Sequence, residues 1–450
     1  MTHFDAASPD PRSGTPILPT AAVVRITLVC FAVSMINGFD TLMLAFVAPL
    51  LAHSLHIDHA ALGRVFGAGS VGTVLGSLIA GPLADRFGRR PMLLLALAVT
   101  GLFMLACAFA GSATSLATLR FLGGLGMGSA IPAVVAITAE SSTAQRRSSL
   151  VILMFIGFPL GAVVGGAITA ALMMRFGWPF VFLMGGICAL AAIVPVLLVI
   201  PSTAIVRTVH TAPTESAATS ASRGLASRAF GSFVGNLLAD GRLASTLALW
   251  FGVVASMILT GFLVSFVPTI LNLNGIAPDR AALGAVVLNL GAIVGALLIS
   301  TVVGRIGPFV PVAISSACGA VLVFALGRVI GTGNAAFGML FVTGACLVGG
   351  QLTIPAIASR LFPTPVRASG IGSTMAIGQM GSIIGPLVGG ILLAQKLPLD
   401  QIFMIAALLA VCGSLGFALV AAWRPRETID PRIPASPFTI SQAESGNGKS

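Results

Sequence analysis

Twelve long apolar segments follow one another along this chain, and each is long enough to cross a lipid bilayer. Of the 450 residues, 56% are apolar and only 8% are charged, whereas a soluble domain carries roughly 25% charged residues. So few charges cannot cover the surface of a water-soluble globule of this size. The composition therefore excludes a soluble enzyme and predicts an all-α membrane protein, because the runs are longer than the alternating segments of a membrane β-barrel.

The apolar runs predict twelve transmembrane helices in two groups of six. The predicted helices are 23–51, 61–83, 91–111, 116–140, 149–173, 180–200, 244–271, 280–303, 308–330, 335–359, 369–394 and 401–423. The polar stretches between and around them predict a disordered tail over 1–22, a linker over 201–243 and a second tail over 424–450. The two bundles then cover 23–200 and 244–423.

The basic residues predict how the chain lies in the membrane. The net charge is +11, and the Lys and Arg side chains stand singly at the ends of apolar runs. That distribution is typical of topology signals and not of a nucleic-acid-binding patch. With the N-terminus inside, 18 basic residues fall on one side and six on the other. Both termini, the linker and the second tail are therefore predicted to be cytoplasmic, in the inner membrane of a bacterium.

Residues spaced by about 220 positions indicate an internal repeat. Arg147 and Arg367 are 220 residues apart, as are Gly161 and Gly381, and each pair occupies the same place in its half. Parallel six-helix repeats related by an axis along the membrane normal place a substrate site near mid-membrane, between the halves. The sequence thus predicts two pseudo-symmetric six-helix bundles with a site between them.

The loop between the second and third helices carries a compact motif of charges and glycines. It reads Gly81-Pro-Leu-Ala-Asp85-Arg86-Phe-Gly88-Arg89-Arg90. This segment resembles the signature of the major facilitator superfamily, Gly-x-x-x-Asp-Arg-x-Gly-Arg-Arg/Lys, in the same loop. The resemblance implies a twelve-helix transporter whose gate includes Asp85, Arg86 and Arg89.

Three further charged residues are predicted to belong to that gate. Glu140 ends the fourth helix, and the sequence favours its pairing with Arg146 or Arg147. Arg367 stands at the position of Arg147 in the second half. The second half keeps only Gly304-Arg305-Ile-Gly307 of the loop motif and lacks its acid, so a symmetric gate would be weaker there.

An acid inside the first helix is the strongest candidate for a coupling residue. Asp40, in Asn37-Gly-Phe-Asp40-Thr41, lies well inside an apolar run. An unpaired charge at membrane depth costs at least about 2.5 kcal/mol, so Asp40 should face a cavity or a partner. The segment resembles the aromatic acid:proton symporters of the superfamily, which usually carry Asp where this chain has Asn37. Asp40 is predicted to carry the proton; the alternative is a polar clamp between helices.

An arginine near the outer end of the fourth helix is predicted to bind the substrate. Arg120 begins a Gly-rich stretch that resembles the same branch, and its planar fork suits a carboxylate. Asp40 lies at a similar depth in the first helix, and the family resemblance implies that the first and fourth helices line one cavity, so the two side chains are predicted to meet. The alternative is that Arg120 extends to the lipid headgroups.

Four amide side chains are further substrate candidates: Asn37, Asn289, Gln351 and Gln379. Asn289 and Gln351, at membrane depth, could equally bond a neighbouring helix. The branch that the sequence resembles often has Arg at the position of Gln379.

Together these features predict proton-coupled uptake of a small, aromatic carboxylate such as a benzoate or a phenylpropanoid acid. A proton-driven efflux antiporter and a symporter of another organic anion are the alternatives; Phe158-Pro159 departs from the Gly-Pro of drug antiporters. No cofactor or metal is predicted, because the six cysteines are isolated within apolar runs. No nucleophile–base set indicates an enzyme, and the chain is predicted to act as a monomer.

Overall fold

The computed structural model describes residues 19–142, 147–201, 243–362 and 367–423. Within these residues, twelve helical segments are long and apolar enough to cross a membrane. The chain is therefore an all-helical, multi-pass membrane protein. Most of the predicted tails and linker, at 1–18, 202–242 and 424–450, lies outside the described residues.

The helices are numbered α1 to α12 in chain order. The first six are α1 (Thr20–Ser54), α2 (His59–Phe87), α3 (Arg89–Cys107), α4 (Ala113–Glu140), α5 (Arg147–Phe176) and α6 (Trp178–Val199). The second six are α7 (Leu243–Leu273), α8 (Pro278–Ile306), α9 (Phe309–Val329), α10 (Asn334–Leu361), α11 (Arg367–Ala394) and α12 (Leu399–Trp423).

Several helix ends differ from the sequence prediction by up to four residues, among them the start of α1 and the end of α3. Helix α1 begins at Thr20, so the predicted first tail extends too far, by three residues. Helix α3 ends at Cys107 and not at 111. The residues after it form a turn, and Ser112 then caps α4 through a reciprocal hydrogen-bonded box with Ser115. Capping hydroxyls satisfy main-chain N–H groups that have no intrahelical partner, which places the start of α4 at Ala113.

Helix α10 is irregular where the sequence predicts one continuous helix. A π-helical turn occupies Gly344–Val348, and the α-helix is interrupted again at Leu352 and Thr353, just before Pro355. The missing N–H of proline removes one main-chain hydrogen bond. π-Turns inside α-helices occur frequently at functional sites.

The repeated glycines allow equivalent helix pairs to touch in the two bundles. A Cβ on Gly161 of α5 would overlap the main chain of Met35 in α1. A Cβ on Gly381 of α11 would lie 2.7 Å from the carbonyl oxygen of Val254 in α7. Small residues at such contacts let helix backbones approach closely in lipid. The α1–α5 and α7–α11 contacts are thus counterparts across the repeat.

Among the described residues, the apolar cluster that both bundles share lies toward one end of the molecule. We call the end where α1 begins and α12 ends the terminal side, and the opposite end the distal side. A single apolar cluster on the distal side includes residues of both bundles, with Phe66 of α2 and Phe266 of α7 5.5 Å apart. On the terminal side each bundle has its own cluster, around Leu93 in the first and Leu249 in the second. The distal side is therefore closed by direct packing.

Candidate substrate and proton site

Asp40 of α1 and Arg120 of α4 meet inside the first bundle. The Nη1 atom of Arg120 lies 3.5 Å from Oδ1 of Asp40, and Nη1 and Nη2 each donate to the main-chain oxygen of Asp40 at 3.4 Å. Asp40 is 2% and Arg120 5% exposed. Within the part of the chain that the structure describes, no other charged side chain is buried to this extent. One acid and one base therefore share a site away from both water and lipid headgroups.

The pair is enclosed but incompletely hydrogen-bonded. Neither carboxylate oxygen of Asp40 has a hydrogen-bond partner, and Nε of Arg120 has none. Around the guanidinium lie Sδ of Met104, 3.3 Å from Nη1, and Gly69 of α2, where a Cβ would lie 3.5 Å from Nε. A close charge-assisted hydrogen bond measures about 2.7–2.9 Å. The geometry is that of a loose ion pair, which leaves acceptor and donor positions free for a proton or a carboxylate.

Asn37 lies one helical turn before Asp40 on α1 and bonds to the same neighbour. Its Nδ2 donates to the main-chain oxygen of Met127 in α4 at 3.0 Å, and it is buried. The branch that the sequence resembles usually has Asp at this position, and an ionised carboxylate could not donate this bond. In this conformation Asn37 links α1 to α4 rather than facing an open cavity.

In the second bundle, Gln351 is the centre of a polar cluster that sequence reasoning anticipated only in part. Its Nε2 donates to the main-chain oxygen and Oγ of Ser256, both at 2.7 Å, and to Oγ1 of Thr260 at 2.6 Å. Ser256 and Thr260 lie one turn apart on α7, and the sequence analysis missed them. The two hydroxyl residues are four positions apart within an apolar run, and this helical spacing is the sequence signal from which they could have been found. The cluster joins α7 to α10 three residues after the π-helical turn.

The other two amide candidates have different surroundings. Asn289 is buried in α8, and its Nδ2 donates to the main-chain oxygen of Ala285 on the preceding turn at 2.8 Å. Gln379 of α11 is exposed, and its Oε1 accepts from Oγ of Ser382 at 3.0 Å. The structure therefore does not bring the predicted amides together with Arg120 into one cluster.

At the terminal side, Glu140 forms an ion pair with Arg89, whereas the pairing with Arg146 or Arg147 that the sequence favoured involves side chains outside the described residues. Its Oε1 lies 3.4 Å from Nε of Arg89, so the ion pair joins the end of α4 to the start of α3. The guanidinium of Arg86 lies 5.5 Å from the ring centroid of Phe87. Arg146 lies outside the described residues, as do the side chains of three predicted gate residues: Asp85, Arg147 and Arg367.

In the first distal loop, Asp58 has a local structural role. Asp58 accepts from the main-chain N–H of Ala61 at 2.7 Å and thereby caps α2. Among the described residues, no group of three His, Cys, Asp or Glu side chains has the arrangement of a metal site.

Comparisons with known proteins agree with this architecture. The model of the Major Facilitator Superfamily matches residues 30–379 and 249–442. The gallate transporter of Pseudomonas putida is 32% identical over 93% of this chain and 96% of its own. The 4-hydroxybenzoate transporter PcaK of Pseudomonas aeruginosa is 30% identical over 88% of this chain and 92% of its own. The crystal structure of a D-xylose-proton symporter, 18% identical, superimposes with a TM-score of 0.69 over 90% of this chain and 98% of its own.

The matching family model and these relatives are all those of membrane transporters, so this chain is classed as a membrane transporter and not as an enzyme. This chain belongs to the major facilitator superfamily, and it is related to transporters of aromatic acids. The fold and the family predicted from the loop motif and from the Asp40 segment are thereby confirmed.

Proposed function

We propose that the protein couples the uptake of a small aromatic carboxylate to the inward movement of protons. The observation that carries this proposal is the buried, loosely bonded pair of Asp40 and Arg120. It supplies one group that can take a proton and one that can bind a carboxylate. The relatives named for gallate and 4-hydroxybenzoate transport support an aromatic acid as the substrate class.

The coupling follows from charge balance within the membrane. In the empty protein the Asp40 carboxylate neutralises Arg120, because an unpaired charge at this depth is costly. When a proton neutralises Asp40, the guanidinium loses its counter-ion and binds the substrate carboxylate in its place. A proton and an anion therefore load together, and the site is again neutral when the bundles rock. Without the proton, an incoming carboxylate would compete with Asp40 for the same cation.

The remaining polar groups would recognise the rest of the substrate from the second bundle. Gln351, held by α7, and Asn289 and Gln379 provide amides on three different helices. In the described conformation they are apart from Arg120. We therefore propose that they reach the substrate only when the bundles change their relative tilt.

The orientation and the gate are part of the same proposal. The excess of basic residues supports a cytoplasmic terminal side, with the chain in a bacterial inner membrane as a monomer. The closed distal side then faces the periplasm, and the described conformation is the one that releases substrate inwards. We assign the gate at the terminal side to Asp85, Arg86, Arg89, Glu140, Arg147 and Arg367.

The test is uptake of labelled benzoates, phenylpropanoid acids and aliphatic acids into cells that express the chain, with and without a protonophore. Accumulation of an aromatic acid that collapses when the protonophore is added is the expected result. Accumulation of an aliphatic acid alone would assign the protein to another organic anion. Export driven by a proton gradient from inverted vesicles, with no uptake of any acid, would replace the proposal with an antiporter.

A further inference from the structure

The terminal end of the second bundle holds a basic cavity that the transport site does not use. It has a volume of about 320 Å³ and lies where α8 ends, α9 begins and α10 ends. Two arginines line it, Arg305 in the last turn of α8 and Arg360 in the last turn of α10. Both side chains are exposed, so a ligand reaches them from the membrane surface.

The corresponding place in the first bundle contains a balanced ion pair. The offset of 220 residues relates Arg360 to Glu140, and the offset of 219 that relates Gly307 to Gly88 also relates Arg305 to Arg86. In the first bundle Glu140 neutralises Arg89 at 3.4 Å. In the second bundle the acid position is an arginine, and the position of Asp85 is Gly304. The second bundle therefore lacks both of the acids that the first bundle carries at this end.

No charge in the described residues compensates the two arginines. Within the described ranges, no carboxylate lies within ion-pair distance of Arg305 or of Arg360. Helix α9 begins at the same cavity, so the positive end of a helix of 21 residues adds to their field. The cavity thus concentrates positive potential from three independent elements.

We propose that this cavity is a binding site for a phosphate-bearing anion. Guanidinium groups bind phosphate oxygens in pairs, and helix N-termini favour the same ligand. The cavity opens at the level where lipid headgroups lie, so an anionic phospholipid and free phosphate are the two sources of this chemistry. Bound there, the anion supplies at the second bundle the negative charge that Glu140 supplies at the first.

Thermal unfolding of the purified full-length chain in detergent tests the site. The probes are dioleoylphosphatidylglycerol, dioleoylphosphatidylcholine as its zwitterionic counterpart, and inorganic phosphate against chloride at equal ionic strength. A ligand that binds the folded state raises the unfolding temperature. The variants are the double change Arg305→Gln with Arg360→Gln, and the single change Arg360→Glu, which restores the acid of the first bundle. The control is Arg175→Gln with Arg328→Gln, two exposed arginines of the distal side.

We expect phosphatidylglycerol to raise the unfolding temperature of the unmodified chain and of the control. Both cavity variants should show roughly a tenfold or larger rise in the Kd of that lipid, because each removes a charge-assisted contact. The same pattern with inorganic phosphate, and none with the lipid, would support the site with a soluble ligand. Equal shifts in all variants, or no shift of the unmodified chain with either probe, would overturn the proposal.

Discussion

Gly63 of α2 and Gly390 of α11 lie backbone against backbone where the two bundles close the distal side. A Cβ on Gly390 would lie 2.9 Å from Cα of Gly63, and a Cβ on Gly63 would lie 2.8 Å from the carbonyl oxygen of Pro386. Neither glycine has a positive φ. The close approach of the two helices, and not a left-handed backbone conformation, therefore requires glycine at both positions. The contact joins different bundles and must separate whenever the distal side opens.

A side chain at this contact should therefore hold the distal side open. We expect Gly390→Val to reduce transport at least tenfold, because overpacking a close contact costs about 1–3 kcal/mol. Labelling of a cysteine introduced into the distal half of α2 should increase in the same variant. Gly338→Val is the matched control, since nothing lies within 4 Å of a Cβ built on Gly338. Equal loss in both variants would show a general folding defect.

Asp40→Asn should separate proton coupling from substrate movement. The amide has the shape of the protonated acid and cannot cycle its charge. We expect concentrative uptake to be lost while exchange of labelled for unlabelled substrate continues. Asp400→Asn, at an exposed position in the first turn of α12, should leave both activities unchanged. Full accumulation by Asp40→Asn would remove Asp40 from the coupling mechanism.

Arg120→Lys should weaken substrate binding and keep the positive charge. An ammonium cannot present the planar, two-pronged donor that suits a carboxylate, so KM should rise about tenfold or more. Arg328→Lys, exposed near the end of α9, is the control. Arg120→Ala should additionally destabilise the folded protein by about 3–5 kcal/mol, because it leaves the Asp40 carboxylate buried without a counter-ion. An unchanged KM in Arg120→Lys would place the substrate elsewhere.

Gln351→Leu should uncouple α10 from α7. The leucine fills a similar volume but leaves Ser256 and Thr260 without their donor, so we expect a loss of about 1–3 kcal/mol in the free energy of unfolding. Thermal unfolding of the purified protein measures it. Gln395→Leu, at an exposed position just after α11, should change stability by less than about 0.5 kcal/mol. If Gln351→Leu is as stable as the control but transports a different range of acids, the amide contacts the substrate and is not a helix clamp.

The sequence by itself determined the number of spans, their division into two bundles, the repeat and the family. These depend on local composition: an apolar run of about 20 residues crosses a bilayer whatever surrounds it. It also identified Asp40 as a candidate functional residue, because a charged side chain inside an apolar span costs free energy unless it has a partner or faces a cavity. The boundary between α3 and α4 was less well predicted, because the cap at Ser112 depends on a single turn.

The meeting of Asp40 and Arg120 was predicted from their similar depth, but only the tertiary structure decided its geometry and which other side chains meet. Asp40 and Arg120 are 80 residues apart, and Gln351 and Ser256 are 95 apart. Such pairs depend on how helices rotate about their axes and how deeply they sit, and glycines such as Gly161 and Gly381 set those distances through main-chain contact. The pairing of Glu140 with Arg89 and the closure of the distal side follow from the same packing. The order of charged residues along the sequence is compatible with several sets of contacts, and the packing of the helices determines which of them form.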